Sequence, residues 1–326
     1  MKVCVVGAGA IGGFIGTRLA LAGHDVGAFA RGATLDALRK HGWRLRHNGK
    51  LRGAPARASD SSAELGPQDL VVIAVKGQSL PDVAPHINPL LEPHTLVLPA
   101  MNGVPWWFGR GVAALEGAPL GSVDPGGAVS RAIPFEQVIG CVVHASTWTS
   151  EPGLVEHKMG EKLIIGEPAG GESVRVNELD AALTQAGFEI EHSADVRRDI
   201  WYKLWGNMTM NPVSAITGAT SDRVLADPLV VAFCTAAMRE ASAVGAKIGC
   251  AIDQQPEDRH VITRKLGSFK PSMLQDVEAG RTLELDAIVS VVREIAQRVD
   301  VATPTIDALL GLTRLFARTR GLYPAA

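Results

Sequence analysis

The chain has 326 residues, a length that suits two domains of ordinary size. It is 46% hydrophobic and 20% charged with a formal net charge of −2, so no overall charge draws it to nucleic acid or to an anionic membrane. The four cysteines, Cys4, Cys141, Cys234 and Cys250, form no CxxC, and the nine histidines show no HxxxH or His/Cys grouping. Buried thiols in a reducing, cytoplasmic compartment and no metal are therefore expected.

The chain opens on KVCVVGAG, a β-branched run ending in glycines, which predicts a buried strand. Glycines cut this run too early for the apolar region of a signal peptide. IGGFIGTRLALAG follows with Ile11, Ile15 and Leu19 at helical spacing, then a second strand in HDVGAFAR. Residues 37–58 hold seven basic residues and no acid, either a solvated face or a source of positive potential for an arriving anion. DLVVIAVK and HTLVLPAMNG predict two more strands, each followed by a helical stretch. Alternation of this kind indicates a parallel, doubly wound sheet. QVIGCVVHAS, GLVEHK and KLIIGE read as three closely spaced antiparallel additions, closed by a helix and a strand over 176–193.

Beyond residue 195 no strand pattern of strength recurs, and long helical patterns take over. The expected architecture is a Rossmann-type α/β domain over residues 1–195 and an all-helical domain over 196–326, with the ligand cleft between them. The uncharged run LWGNMTMNPVSAITGATS approaches a membrane span in length. Its two asparagines, proline and hydroxyls make it a buried helix with functional polar groups instead.

Several motifs carry chemistry. GAGAIG follows a predicted strand and opens a predicted helix, the context a dinucleotide fingerprint requires. Gly7 would allow the tight turn, Gly9 the approach of the backbone to a pyrophosphate and Gly12 close packing of helix on strand, so that Gly7, Ala8, Gly9, Ala10, Ile11 and Gly12 are the candidate cofactor-binding residues, with the helix N-terminus offering its N–H groups to the phosphates. At the end of the second strand, where NAD binders place an acid for the ribose 2′-OH, this chain has Arg31. A guanidinium suits a 2′-phosphate, so NADPH is the expected cofactor. Lys76 ends the third Rossmann strand, as a ligand contact or a solvated strand end. Asn102, before Gly103, either forms a turn or orients nicotinamide and substrate.

In IWYKLWGNMTMNP, Lys203, Asn207 and Asn211 fall at i, i+4 and i+8, one narrow stripe of a helix. Such groups cost free energy in an apolar helix if buried and unpaired. An ammonium can donate a proton to a carbonyl oxygen and stabilise alkoxide charge as hydride arrives at carbon. The stretch PSMLQDVEAGRTLELDAI adds Ser272 and Glu284 around a break at Gly280, a weak signal alone.

Taken together, GAGAIGG, VKGQ, MNGVP, YKLWGNMTMNPVSAITG and PSMLQDVEAGRTLELDAI resemble the ketopantoate reductase (2-dehydropantoate 2-reductase) family over essentially the whole chain. The resemblance implies NADPH-dependent reduction of a branched 2-oxo acid to its 2-hydroxy acid, on the route to pantothenate and coenzyme A. It implies Lys203 as general acid in contact with substrate, and Asn102, Asn207, Asn211 and Ser272 as substrate contacts, Asn102 also touching cofactor. It assigns Glu284 to the nicotinamide ribose side, Arg31 and Lys76 to the 2′-phosphate and cofactor, and Ser146 to the cofactor border. Two positions depart from the pattern: Phe269 and Ser221 stand where well-studied members carry asparagines at the substrate end. A reductase of a different 2-oxo acid is therefore the alternative, and a non-catalytic NADP(H) sensor the more distant one. The partner expected is a small 2-oxo acid, with no nucleic acid and no membrane; monomer and homodimer stay open.

Overall fold

The computed structural model describes residues 1–325, and they divide into two compact units. Unit 1 comprises Met1–Trp107 and Gly127–Asp199; unit 2 comprises Phe108–Gly126 and Ile200–Ala326. The expected division at 195/196 thus omits an excursion, since Phe108–Gly126 belongs with the helices.

Unit 1 is built on β1 (Lys2–Val6), β2 (Asp25–Phe29), β5 (Arg57–Ser59), β6 (Leu70–Ile73) and β7 (Leu96–Pro99). Their order is β5-β2-β1-β6-β7 and every pairing is parallel. The Val- and Leu-rich runs of β1, β6 and β7 are buried nearly end to end, as a sheet covered on both faces demands. Helix α1 (Ala10–Leu21) packs on this sheet, and α2 (Gly32–His41) follows β2.

A second sheet holds β3 (Trp43–His47), β4 (Lys50–Ala54), β8 (Gly140–Glu151), β9 (Leu154–Gly166) and β10 (Glu189–His192). Its order is β10-β9-β3-β4, with β8 antiparallel to β9. The expected antiparallel additions are corrected here in two ways. GLVEHK and KLIIGE are one strand interrupted by a register shift, and that strand belongs to this second sheet, where β9 pairs parallel with both β3 and β10. The basic run of 37–58 contains the β3–β4 hairpin, turned by Asn48 and Gly49 at φ 49° and 73°, the two positive values a two-residue I′ turn needs. Trp43, 1% exposed, anchors the hairpin to the first sheet by donating its indole N–H to the Val26 carbonyl at 3.0 Å. Helix α3 (Val174–Gln185) completes the unit.

The longer helices of unit 2 are α4 (Val196–Thr217, entering from unit 1), α5 (Pro228–Lys247), α6 (Pro256–Arg264), α7 (Ser272–Glu278), α8 (Val291–Arg298) and α9 (Pro304–Thr319). Trp201 and Trp205 lock α4 onto α5, donating indole N–H groups to the carbonyls of Ala241 at 3.2 Å and Met238 at 2.7 Å. The Asp227 carboxylate caps α5 on the amides of Leu229 and Val230, with Pro228 in the first turn. Among the described residues α5 alone is long and apolar enough to cross a membrane, by length and composition. Its buried residues Cys234, Ala237, Met238, Ala241 and Val244 share one face, the pattern of a helix packed on a protein core.

Glu294 on α8 fastens the Phe108–Gly126 excursion. Its carboxylate accepts the amides of Gly121 and Ser122, both at 2.8 Å, and the Arg298 guanidinium at 2.6 Å. Burial pushes this carboxyl up, but the donated hydrogen bonds outweigh it and hold the group below its ordinary value. Glu294→Ala strands two amides and should lower stability by about 1–3 kcal/mol, read as a fall in denaturation midpoint. The contribution is present above the ordinary carboxyl range. It should fade as pH falls through the depressed value, so the gap between parent and variant narrows in acid.

Candidate active site

The register of the first sheet aligns its strand ends. Val6 lies opposite Phe29 and Ile73, and Ile73 opposite Pro99. Whatever follows each strand therefore gathers along one carboxyl edge. In spatial order that edge carries Arg31 after β2, the GAGAIG turn after β1, Lys76 after β6 and Asn102 after β7. β1 is also the point where the strand order reverses, since its neighbours are β2 on one side and β6 on the other. Ligands of open α/β sheets bind at such a point.

The turn itself is shaped for a close approach. Gly7 sits at φ +89° with its amide donated to the Phe29 carbonyl at 3.1 Å, and a Cβ there would lie 2.6 Å from Val75. A Cβ on Gly12 would lie 2.1 Å from the Gly7 carbonyl, so only glycine lets α1 rest on the turn. By contrast a Cβ on Gly9 would meet nothing within 4 Å, leaving the backbone open on that side. Gly9 is the N-cap of α1 and makes no side-chain cap hydrogen bond, and no acid occupies the first turn. The amides of Ala10, Ile11 and Gly12 thus begin a helix whose positive end is not offset by a carboxylate. These features fit the pyrophosphate of a dinucleotide.

Arg31 is exposed, in extended backbone at the N-cap of α2. Lys76 and Asn102 are half-buried at the edge, and Asn102 precedes Gly103 at φ +82°. Ser146 lies half-buried in β8 opposite Met159, where the β8–β9 register shifts. Of the neighbouring basic run, Arg44 pairs with Glu151 at 2.8 Å, Arg46 with Glu156, and Arg39 with Asp60 at 3.8 Å. Acids outside the run thus pair with three of its seven basic residues, two of them from strands remote in sequence.

In unit 2, the tryptophans settle which way α4 faces. Trp201 and Trp205 point at α5, and Lys203 lies roughly 200° around the helix from either. Lys203 and Asn207 are half-buried, while Asn211, one turn on, is 4% exposed. Asn211 Nδ2 lies 3.5 Å from Ser272 Oγ, at the start of α7. The structure therefore brings the two motifs together at their Asn211 and Ser272 ends. Gly280, at φ +64°, follows the end of α7, and Glu284 lies half-buried just before a π-helical turn at Asp286–Ser290. Single π turns inside helices are frequent at functional sites. Asp276 pairs with Arg281 at 2.8 Å across Gly280.

One link escapes sequence reasoning. Ser221 donates both its amide, at 2.9 Å, and its hydroxyl, at 3.2 Å, to the Phe269 carbonyl. The two positions that depart from the family pattern are thus bonded to each other. No spacing rule could pair them, because the bond runs to a backbone atom across a long separation. Burial pushes the Cys4 thiol up to about 12 and Cys234 up to about 11, so both stay protonated near neutral pH.

Comparison with known proteins places the chain in a family. The family described as ketopantoate reductase PanE/ApbA matches residues 3–170, and its C-terminal counterpart matches residues 195–317. The chain is 44% identical over 325 residues to a 2-dehydropantoate 2-reductase of Mesorhizobium japonicum, covering 99% of this chain and 100% of that one. It is similar in structure to a candidate ketopantoate reductase from Ralstonia solanacearum MolK2, with TM-score 0.95, 54% identity and 99% of each chain covered. It also resembles the 2-dehydropantoate 2-reductase of Geobacter metallireducens GS-15, with TM-score 0.85, 26% identity, and 97% of this chain and 100% of that one covered.

Proposed function

The chain belongs to the ketopantoate reductase PanE/ApbA family, and we propose that it reduces ketopantoate to pantoate with NADPH. The observation that carries this reading is the polar stripe of α4, Lys203, Asn207 and Asn211, whose buried end meets Ser272 at 3.5 Å. Bound at the carboxyl edge of the first sheet, NADPH supplies hydride to the carbonyl carbon of the substrate. Lys203 donates a proton to the carbonyl oxygen and stabilises its developing charge. Asn207, Asn211 and Ser272 hold the carboxylate and hydroxyl of the 2-oxo acid. Asn102 contacts both cofactor and substrate, Arg31 and Lys76 take the phosphate end, Ser146 borders the cofactor, and Glu284 bonds on the ribose side. Hydride plus proton yields the 2-hydroxy acid and NADP.

The test is NADPH oxidation with ketopantoate beside pyruvate-like and bulkier 2-oxo acids. Highest kcat/KM on ketopantoate supports the proposal, and a clear preference for another acid replaces it. That second reading has its own support: at the two positions where the family resemblance implies asparagines the chain carries Phe269 and Ser221, and the Ser221 hydroxyl is donated to the Phe269 carbonyl. A non-catalytic sensor would bind NADPH and oxidise it with none of the panel.

If Asn211 and Ser272 act as one substrate clamp, Asn211→Ala and Ser272→Ala should each raise KM about threefold to tenfold, the worth of one hydrogen bond. The double variant should fall short of the product of the two, because contacting residues couple. Strictly multiplicative effects would separate their roles.

A further inference from the structure

We propose that His47, His157 and Glu161 form a binding site for a divalent transition-metal ion, with zinc, copper or nickel the fitting class. The site lies in the second sheet of unit 1. β3 and β9 run parallel in a register that sets His47 directly opposite His157. In an unbroken strand Glu161 would lie about 13 Å along the chain from His157. It does not, because β9 is bulged at Gly160. That residue sits at φ +81°, where a Cβ would be 2.4 Å from the His144 carbonyl, beside the β8–β9 register shift. With this bulge in the strand the ligand atoms of all three residues lie within 4.8 Å of one another. The linear sequence gave no sign of this grouping, since 110 positions separate the two histidines.

The hydrogen bonds prepare the site. His157 Nε2–H donates to the Gly160 carbonyl at 2.8 Å, which leaves the lone pair on Nδ1. A backbone carbonyl on the far nitrogen is the usual support behind a metal-bound imidazole. The ring is also clamped by stacking on Phe14 at 4.5 Å and on His47 at 4.8 Å. His47 Nδ1 lies 2.6 Å from His157 Nδ1, one proton shared between two lone-pair positions, and Asn48 Nδ2 donates to His47 Nε2 at 2.8 Å. An ion replaces that shared proton as the two nitrogens open to about 3.3 Å, the separation that tetrahedral metal–nitrogen bonds of about 2.0–2.1 Å require. The proton moves to His47 Nε2, the Asn48 amide turns to accept it, and no net protonation change of the imidazoles is needed.

Arg18 pairs with Glu161 at 3.0 Å, which orients the carboxylate. The same guanidinium, with Arg52 near by, repels a cation, so the site binds more weakly than a structural zinc site. His47 and Glu161 line an open cavity of about 310 Å³ with Arg18, Arg52 and Gln185, which provides an entry path and room for a water as fourth ligand. Two imidazoles and one carboxylate match the borderline cations and not magnesium or calcium.

Cobalt(II) tests the assignment on the full chain, because a tetrahedral site gives it visible absorption. Titration with cobalt chloride alone should produce one equivalent of band, displaced by zinc chloride. His47→Ala and Glu161→Gln should each abolish it, while His94→Ala, an exposed histidine beside Asp69, should leave it intact. Each variant should keep parental NADPH turnover and far-ultraviolet circular dichroism, since none of these residues belongs to the reductase site. Absence of a band in the parent, or a band retained in either ligand variant, overturns the proposal.

Discussion

Lys203→Ala should bind NADPH as the parent does and lose turnover by about 10²–10⁴-fold, the usual worth of a positioned general acid. The direction of the stripe makes this the sharpest test of the catalytic reading. Trp201 and Trp205 fix the rotation of α4 through two indole hydrogen bonds, so removing the Lys203 side chain leaves the packed face unaltered. Loss of rate with unchanged cofactor affinity then reports chemistry rather than unfolding. Lys203→Arg separates the two tasks of the amine. A guanidinium retains positive charge but does not give up its proton in proteins. Recovery of most of the rate by arginine would assign the lysine to charge stabilisation alone. Near-normal turnover in Lys203→Ala would reject it as the proton donor. The rate should be read by single-turnover NADPH oxidation, so that product release does not mask the chemical step.

How far this site could be read without coordinates depended on the range of each signal. The GAGAIG turn is local: a strand, three glycines and a helix occupy a short window, and the reasons for Gly7 and Gly12 are contacts with Val75 and with the turn itself. The α4 stripe is local too, since helical spacing alone places Lys203, Asn207 and Asn211 on one side. The basic run over 37–58 shows the opposite case. Arg44 and Arg46 sit on a strand whose compensating acids, Glu151 and Glu156, belong to β8 and β9, so charge counting masked a hairpin that Asn48-Gly49 could have announced. Likewise GLVEHK and KLIIGE looked like two strands because Gly160 reads as a turn, whereas cross-strand pairing carries β9 through it. The place of Phe108–Gly126 among the helices rests on Glu294 reaching Gly121 and Ser122, and no periodicity encodes such a tie. The Ser221–Phe269 bond is of the same kind. What stayed hidden is long-range pairing to backbone atoms, which side-chain identity does not report.

Arg31→Ala should weaken NADPH binding by about 10–150-fold while leaving NADH binding nearly unchanged, if the guanidinium makes a charged hydrogen bond worth roughly 1.5–3 kcal/mol. The position makes the prediction specific. Arg31 follows β2 at the carboxyl edge, where an acid would bond a free ribose 2′-OH, and it sits exposed at the N-cap of α2. The basic residues that follow offer little substitute, because Arg39, Arg44 and Arg46 are engaged with Asp60, Glu151 and Glu156. The discrimination between the two cofactors is then shared by Arg31 and the half-buried Lys76, and Arg31→Ala removes the exposed charge of the two. Screening follows from that exposure: parental affinity for NADPH should drop with added salt, and the variant should show a flatter dependence. Arg31→Asp should go further, repelling the 2′-phosphate while offering the ribose hydroxyl an acceptor, so preference moves toward NADH. Titration of both dinucleotides by quenching of protein fluorescence measures all three proteins. Equal loss of NADPH and NADH affinity in Arg31→Ala would mean that Arg31 supports the fold of the βα turn and does not read the phosphate.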